Sequence, residues 1–232
     1  MLFRSNDNDI GGNYNIFIIK ADGTDQVKLT DRNNNFSPQY FPDNNSIIFS
    51  SSDNDWTGIY KMNINGDNKQ LLTPQGNSFG DPKISPDGNM ISVTSNDRNG
   101  SQIFVMNSDG SNVKQITFTV SSKYPDTGFP REGNCNPVWS PDSGKLAYVS
   151  FENGSPDIFI INSNGTENKR LTDTPLRDEN PAWTKDGNYL LFSSNRNPNV
   201  ASQIYIMRTE GQLQTPLTNY MGDNIYPVFI NQ

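Results

Sequence analysis

One motif recurs five times along the chain, and its spacing constrains the fold more than any other feature. Each copy places a proline two residues before a bulky apolar side chain, and the complete copies end in a Pro-Asp-Gly type turn. The five prolines are Pro38, Pro82, Pro137, Pro181 and Pro227, separated by 44, 55, 44 and 46 residues. A repeat of about 40–45 residues is typical of a four-stranded unit that packs against copies of itself. The sequence therefore predicts an array of small β-sheets.

Each repeat contains four short strand signals, here called a to d in chain order. Strand a carries the proline, and strand b is a run of β-branched and aromatic residues such as residues 47–50. Strand c, for example residues 59–62, ends in Asn-Gly or Asp-Gly, a strong hairpin signal. Strand d closes on Leu-Thr or Ile-Thr. Near-continuous apolar runs favour strands that are covered on both faces.

The motifs together resemble the repeat of TolB-type β-propellers. The resemblance rests on the Ser-Pro-Asp-Gly turn at residues 85–88, the Ile-Phe-Val-Met-Asn-Ser-Asp-Gly stretch at residues 103–110 and the closing Leu-Thr pairs, and it extends over essentially the whole chain. It implies an all-β propeller of four-stranded antiparallel blades. The family includes periplasmic TolB, which binds protein partners at its funnel, and the propeller parts of certain peptidases and lyases. A periplasmic or otherwise extracytoplasmic location is implied.

The two ends of the chain supply complementary halves of one repeat. Residues 2–5 read as a strand b without its strand a, and residues 225–229 read as a strand a without its strand b. Pairing them completes a fifth blade and removes exposed sheet edges. We therefore predict a single domain over residues 1–232, a five-bladed ring closed by its C-terminal strand. The alternative is a fragment of a six-bladed ring.

The side chains for the commonest catalytic chemistry are missing. The chain contains no histidine, and Cys135 is its only cysteine. Histidine is the usual general base near neutral pH, so Ser-His-Asp and Cys-His mechanisms are excluded. The lyases that share the repeat rely on histidines for their metal site. We expect no enzymatic activity, and we assign no catalytic residue and no cofactor.

Charge and hydropathy narrow the range of partners. The net charge is −7, and no basic patch stands out. Nucleic-acid binding is not expected without such a patch. No apolar run reaches the length of a transmembrane helix, and the first residues lack the charged-then-apolar order of a signal peptide. We expect a monomer that does not insert into membranes.

The 55-residue step marks an insertion at residues 118–133, between strand d of one repeat and strand a of the next. In a propeller the d-to-a and b-to-c loops share one face, and long loops on a rigid scaffold are preferred sites of function. We predict a protein or peptide partner that contacts this face. The candidate contacts are Trp56, Lys123, Tyr124, Phe129, Arg131 and Arg196.

The positions around the repeat prolines define a second candidate region. Equivalent residues lie at equal distances from a propeller axis, so the residues preceding the prolines are expected at the channel mouth. These are Ser37, Asp81, Asn136, Asn180 and Tyr226, with Glu179 one position earlier. No metal site is predicted, although oxygen ligands favour calcium over zinc if a metal binds. The alternatives are capping of strand ends, carbohydrate binding through Asp81 and Glu179, and a structural domain of a larger envelope or secreted protein.

Overall fold

The computed structural model describes residues 1–6, 13–52, 55–97, 100–118, 133–197, 201–219 and 222–228. Over these ranges the chain is all-β, and no helix long and apolar enough to cross a membrane occurs in them. The predicted repeat is confirmed as a series of five antiparallel sheets.

Nineteen strands make up the five sheets in the described ranges, and the sheets are numbered in chain order. Sheet 1 contains β1 (Leu2–Ser5), β2 (Asn15–Ile18) and β3 (Val27–Lys28). Sheet 2 contains β4 (Asn34–Tyr40), β5 (Ser46–Ser52), β6 (Thr57–Asn63) and β7 (Gln70–Leu71). Sheet 3 contains β8 (Phe79–Ile84), β9 (Met90–Asp97), β10 (Gly100–Asn107) and β11 (Lys114–Gln115). Sheet 4 contains β12 (Asn134–Trp139), β13 (Lys145–Ser150), β14 (Asp157–Asn162) and β15 (Lys169–Arg170). Sheet 5 contains β16 (Asp178–Trp183), β17 (Tyr189–Ser194), β18 (Gln203–Arg208) and β19 (Thr215–Pro216).

The chain divides into two compact units, residues 1–95 with 105–114 and residues 96–104 with 115–232. The core of the first unit includes Ile16, Ile47 and Phe49, which are fully buried. The core of the second unit joins sheets 4 and 5. Its members are Ala147, Val149, Ile158, Ile160, Leu171, Leu190, Phe192, Tyr205 and Met207. Each core is built mainly from the apolar runs of strands b and c, and Leu171 at the end of strand d adds to the second.

Every sheet has two chemically different ends. The a-to-b and c-to-d turns share one end, here called the turn end, because neighbouring strands are antiparallel. The b-to-c and d-to-a connections share the other, here called the loop end. Turn ends are short and repetitive, as in the Ser140–Lys145 and Thr184–Tyr189 turns, where the first residue donates its N–H to the carbonyl of the last.

Strand a begins earlier than predicted and contains an irregularity. In sheet 2 the pairing of β4 with β5 shifts register between Phe36 and Gln39, and sheets 3, 4 and 5 shift at the equivalent place. The residue before each repeat proline has a positive φ: Ser37 (50°), Asp81 (49°), Asn136 (53°), Asn180 (55°) and Tyr226 (56°). An extra residue in one strand of a pair is a β-bulge, which bends that strand. The bulge is therefore part of the repeat.

Strand d is shorter than predicted because its closing threonine bonds to strand c through its side chain and not through its backbone. The Thr Oγ1 accepts a hydrogen bond from the backbone N–H of an isoleucine in strand c, at 2.9–3.1 Å. The pairs are Thr30 with Ile16, Thr73 with Ile59, Thr117 with Ile103, Thr172 with Ile158 and Thr218 with Ile204. The side chain thus continues the ladder where the backbone of strand d has already left it.

Sheet 1 differs from the other four by having three strands. Within the described ranges, residues 222–228 form no strand, and no pairing with β1 is seen. Ile225, Tyr226 and Val228 are exposed. The propeller fold is confirmed, and the closure of a five-bladed ring stays a prediction.

Candidate binding surface

The loop end of each sheet is organised around one position in strand c. It lies just before the isoleucine that the closing threonine caps, and it is occupied by Asn15, Gly58, Gln102, Asp157 and Gln203. Except at the glycine, the side chain there is buried and polar. The scaffold is therefore the same in each repeat, while the chemistry at this position differs.

At sheet 3 this position is Gln102, whose side chain bonds to residues on both sides of the insertion. Gln102 Oε1 accepts hydrogen bonds from Thr117 Oγ1 at 3.0 Å and from Asn134 Nδ2 at 2.9 Å. All three side chains are buried. Gly133 packs so closely on Ser101 that a Cβ there would collide with the Ser101 backbone. Thr117 and Asn134, which flank residues 118–133, are therefore both held by Gln102.

The candidate contacts in the insertion, Lys123, Tyr124, Phe129 and Arg131, lie outside the described residues. The neighbouring Phe118 is described, and its side chain is 72% exposed.

Trp56 lies over the sheet 2 position that lacks a side chain. An added Cβ on Gly58 would be 2.6 Å from an atom of the Trp56 ring and 2.7 Å from Leu71 Cδ1. The ring thus takes the space that a polar side chain fills in the other sheets. Trp56 is partly buried and keeps one part of its surface accessible at the loop end.

At sheets 4 and 5 the loop end contains buried charges. Asp157 and Asp178 are fully buried, and Arg170 and Arg196 pair with them at 2.7 and 2.8 Å. Thr172 Oγ1 is 3.3 Å from Asp157 Oδ1. Burial raises the pKa of Asp157 to about 6, against the lowering effect of Arg170. Sequence reasoning missed this cluster, although Asp157 stands where two other repeats have glutamine.

Arg196 is held by several groups at once. It donates to Asp178 Oδ1 at 2.8 Å, to Gln214 Oε1 at 2.6 Å and to Ser194 Oγ at 2.9 Å. Its guanidinium lies 4.7 Å from the centroid of the Tyr205 ring, within cation–π range. The side chain is 18% exposed. These bonds fix the start of the loop that follows β17.

Both carboxylates predicted at the channel mouth, Asp81 and Glu179, are paired with a basic side chain. Lys83 Nζ lies 2.7 Å from Asp81 Oδ1, and Arg177 forms two hydrogen bonds with Glu179, at 2.7 and 3.1 Å. Each pair is two residues apart along the chain, so the charges compensate locally.

The other predicted mouth residues are polar or exposed. Asn180 donates to Ser193 Oγ at 2.9 Å, Asn136 is exposed, and Tyr226 is 69% exposed. Ser37 lies with Asp81 in the first unit, and the remaining four predicted residues lie in the second. In the described part of the chain, no group of three or more acidic or cysteine side chains is arranged to hold a metal ion.

Repeated four-stranded sheets with bulged first strands and variable loop ends define a β-propeller, a class of protein that presents loops on a rigid scaffold. The family model described as the TolB beta propeller domain matches residues 7–128 and 126–231. The chain belongs to the TolB β-propeller family.

Relatives in this family are longer than the chain. The Tol-Pal system protein TolB of Alcanivorax borkumensis is 40% identical over 62 residues, which cover 26% of this chain and 14% of that protein. The structure of TolB from Acinetobacter baumannii matches with a TM-score of 0.66 and 21% identity, over 88% of this chain and 49% of that chain. The chain therefore spans about half the length of that TolB.

An enzyme shares the fold. Oligogalacturonate lyase from Vibrio parahaemolyticus matches with a TM-score of 0.71 and 12% identity, over 94% of this chain and 61% of that one. Likeness at this level shows a common architecture, and architecture alone does not assign function.

Proposed function

We propose that the chain is a non-catalytic scaffold that binds a protein or peptide at the loop ends of its sheets. The observation that carries the proposal is the double hydrogen bond to Gln102, which ties down both ends of the insertion at residues 118–133. A loop anchored at both ends loses less conformational entropy on binding than one attached through mobile segments. The absence of histidine from the sequence and the match to TolB support a binding role.

The proposed contacts are the insertion residues Lys123, Tyr124, Phe129 and Arg131, together with Trp56. Aromatic and arginine side chains are the usual anchors of protein interfaces. Arg196 is the remaining proposed contact, and its guanidinium is held in place by hydrogen bonds to Asp178 and Gln214.

The six mouth residues, Ser37, Asp81, Asn136, Glu179, Asn180 and Tyr226, form the proposed polar rim of the channel. We further propose one domain with five blades, acting as a monomer in the periplasm. The left-handed backbone of Tyr226 supports the fifth blade, because the four residues in paired strands a have the same conformation. Family resemblance supports the location.

The test exchanges the insertion for a natural short connection of the same chain. Residues 118–132 are replaced by the sequence of residues 173–176, taken from the connection between sheets 4 and 5, and Gly133 is kept because a side chain there would collide with Ser101. A second variant keeps the full length and changes the four insertion contacts to alanine. Both variants are expected to fold and to lose proteins that the unmodified chain retains from an extract of the source organism.

A matched control changes Asn45 and Lys185 to alanine, since both are exposed and lie at turn ends. The control is expected to retain the partner. Equal retention by the four-alanine variant and the unmodified chain would remove the insertion from the interface. Release of the bound protein by soluble oligosaccharide would favour the carbohydrate alternative.

A further inference from the structure

A cleft opens at the turn ends of sheets 4 and 5, away from their loop ends. Its volume is about 660 Å³. Ile160 and Trp183 form its apolar part, and the polar groups around them include Asp142, Asn168, Asp186 and Glu210. All of them belong to the second unit. The repetitive turns predicted no site here.

Two larger side chains fill the equivalent place in sheet 2. Ser140 stands at the position of Phe41 in sheet 2, and Ile160 stands at the position of Lys61. In sheet 2 the Lys61 Nζ lies 4.1 Å from the centroid of the Phe41 ring, so these two side chains fill the equivalent place. Serine and isoleucine are smaller, and they leave the space open in sheet 4.

The apolar part of the cleft is rigid. Trp183 Nε1 donates to the carbonyl oxygen of Val138 at 3.1 Å, which fixes the indole across the two sheets. Ile160 is 7% exposed and belongs to the core between them. An incoming group therefore meets a preformed aromatic and aliphatic surface.

Two carboxylates on the rim are oriented by their own turns. Asp142 Oδ1 accepts from the Gly144 N–H at 3.0 Å, and Asp186 Oδ1 accepts from the Thr184 hydroxyl at 2.6 Å. The hydroxyl of Ser140 and that of Thr184 lower the pKa values of Asp142 and Asp186, so both stay ionised at neutral pH.

The lysines of the cleft are already occupied. Lys145 Nζ donates to Asn162 Oδ1 at 2.8 Å and lies 3.7 Å from Glu167, while Lys169 Nζ donates to the Glu210 carbonyl oxygen at 2.8 Å. Within the described ranges, the carboxylates of Asp142, Asp186 and Glu210 take part in no ion pair. Four carboxylates and two lysines line the cleft, so it carries an excess of negative charge beside an aromatic ring, although Lys145 also acts on Asp142.

We propose that this cleft binds the side chain of a lysine or arginine carried by a peptide. The aliphatic stem of such a residue packs on Trp183 and Ile160, and its cationic head reaches the three carboxylates. Long basic side chains combine apolar stems with charged heads, and aromatic faces attract cations. This second surface is separate from the insertion and does not depend on the proposed function.

The test measures binding of an N-acetylated, C-amidated trilysine peptide to the whole chain by heteronuclear NMR at low salt. Binding is expected to shift the indole N–H signal of Trp183. The variant with Asp186→Asn and Glu210→Gln is expected to bind about fivefold to twentyfold more weakly, because each exposed ion pair contributes up to about 1 kcal/mol. The Asn at position 186 retains an oxygen for the turn hydrogen bonds.

Asp87→Asn is the matched control, since Asp87 accepts the Ser85 hydroxyl in the same turn of sheet 3. It is expected to leave trilysine binding unchanged, and a trinorleucine peptide is expected not to bind. Equal weakening by the control would show general attraction to an acidic protein and overturn the site. A shift of the Trp183 signal by neutral disaccharides but not by trilysine would also overturn it. If the variant with Asp186→Asn and Glu210→Gln loses trilysine binding but still retains the partner bound at the insertion, the cleft acts independently of the proposed function.

Discussion

At the residue scale, the carboxyl group of Asp157 couples the fold to pH. Its folded-state pKa, about 6, lies above the ordinary value of 3.8 because the side chain is fully buried. The folded protein therefore binds this proton more tightly than the unfolded chain does. The resulting stabilisation is complete below pH 3.8 and is lost as the pH rises through 6. Its full size is about 3 kcal/mol.

Asp157→Asn is expected to abolish this component of the pH dependence. The amide retains an oxygen for Thr172, and glutamine already occupies the equivalent position in Gln102 and Gln203. The measurement is the difference between the free energies of unfolding of the two proteins from pH 4 to pH 7. Unmodified protein should lose about 2 kcal/mol relative to the variant over this interval, because the last part of the effect lies below pH 4.

The control for this prediction is Asp173→Asn, which removes the exposed partner of Arg170 and leaves the buried carboxyl in place. Its difference profile should be nearly flat. A flat profile for Asp157→Asn as well would show that the buried carboxyl does not titrate in this range.

At the scale of the element, the c-to-d turn glycines respond to the neighbouring sheet. Gly110 has a φ of 87°, and an added Cβ would lie 2.6 Å from the carbonyl oxygen of Leu72 in the preceding repeat. Gly23 has a φ of 85° in the equivalent turn, with nothing within 4 Å of the added Cβ. Alanine at either position bears the cost of a left-handed backbone, about 1–2 kcal/mol.

Gly110→Ala is expected to lose a further 1–3 kcal/mol, roughly the cost of overpacking, because a backbone atom cannot move aside as a flexible side chain can. The comparison with Gly23→Ala by urea denaturation isolates the packing of the neighbouring sheet from the backbone effect. Equal losses in the two variants would mean that the Leu72 backbone adjusts.

The sequence predicted elements where local chemistry determines them. The apolar runs of strands b and c and the Asn-Gly and Asp-Gly turns were sufficient to place β5 and β6 within two residues. The bulge in strand a was not predicted, because Ser37 and Tyr226 carry no intrinsic preference for positive φ.

The site was less predictable than the fold because it depends on contacts between side chains far apart in sequence. Gln102 bonds to Asn134 across 32 residues, and Trp183 bonds to Val138 across 45. The repeat alignment does hold a signal for the buried charges, since Asp157 replaces an amide side chain. The pairing of Asp157 with Arg170 and of Asp178 with Arg196 is recognisable only from the packed structure.

At the scale of the whole molecule, the repeat specifies how the predicted ring closes. Gln39 pairs with Ile48 and Phe36 with Ser50 in sheet 2. The equivalent positions of the unfinished repeat place Val228 opposite Leu2, both of which are apolar.

Closure in this register predicts a disulfide between cysteines introduced at Leu2 and Val228, with Cys135 changed to serine. Directly opposed residues of antiparallel strands bring their Cβ atoms to about 4.5–5.5 Å, close enough for a bond after a small backbone adjustment. The off-register pair Leu2 and Ile225 should remain reduced under the same conditions. A five-bladed ring gives the bond within one chain, and non-reducing electrophoresis then shows a faster monomer. A six-bladed assembly completed by a second chain would instead give covalent dimers or no bond, and either result would contradict closure.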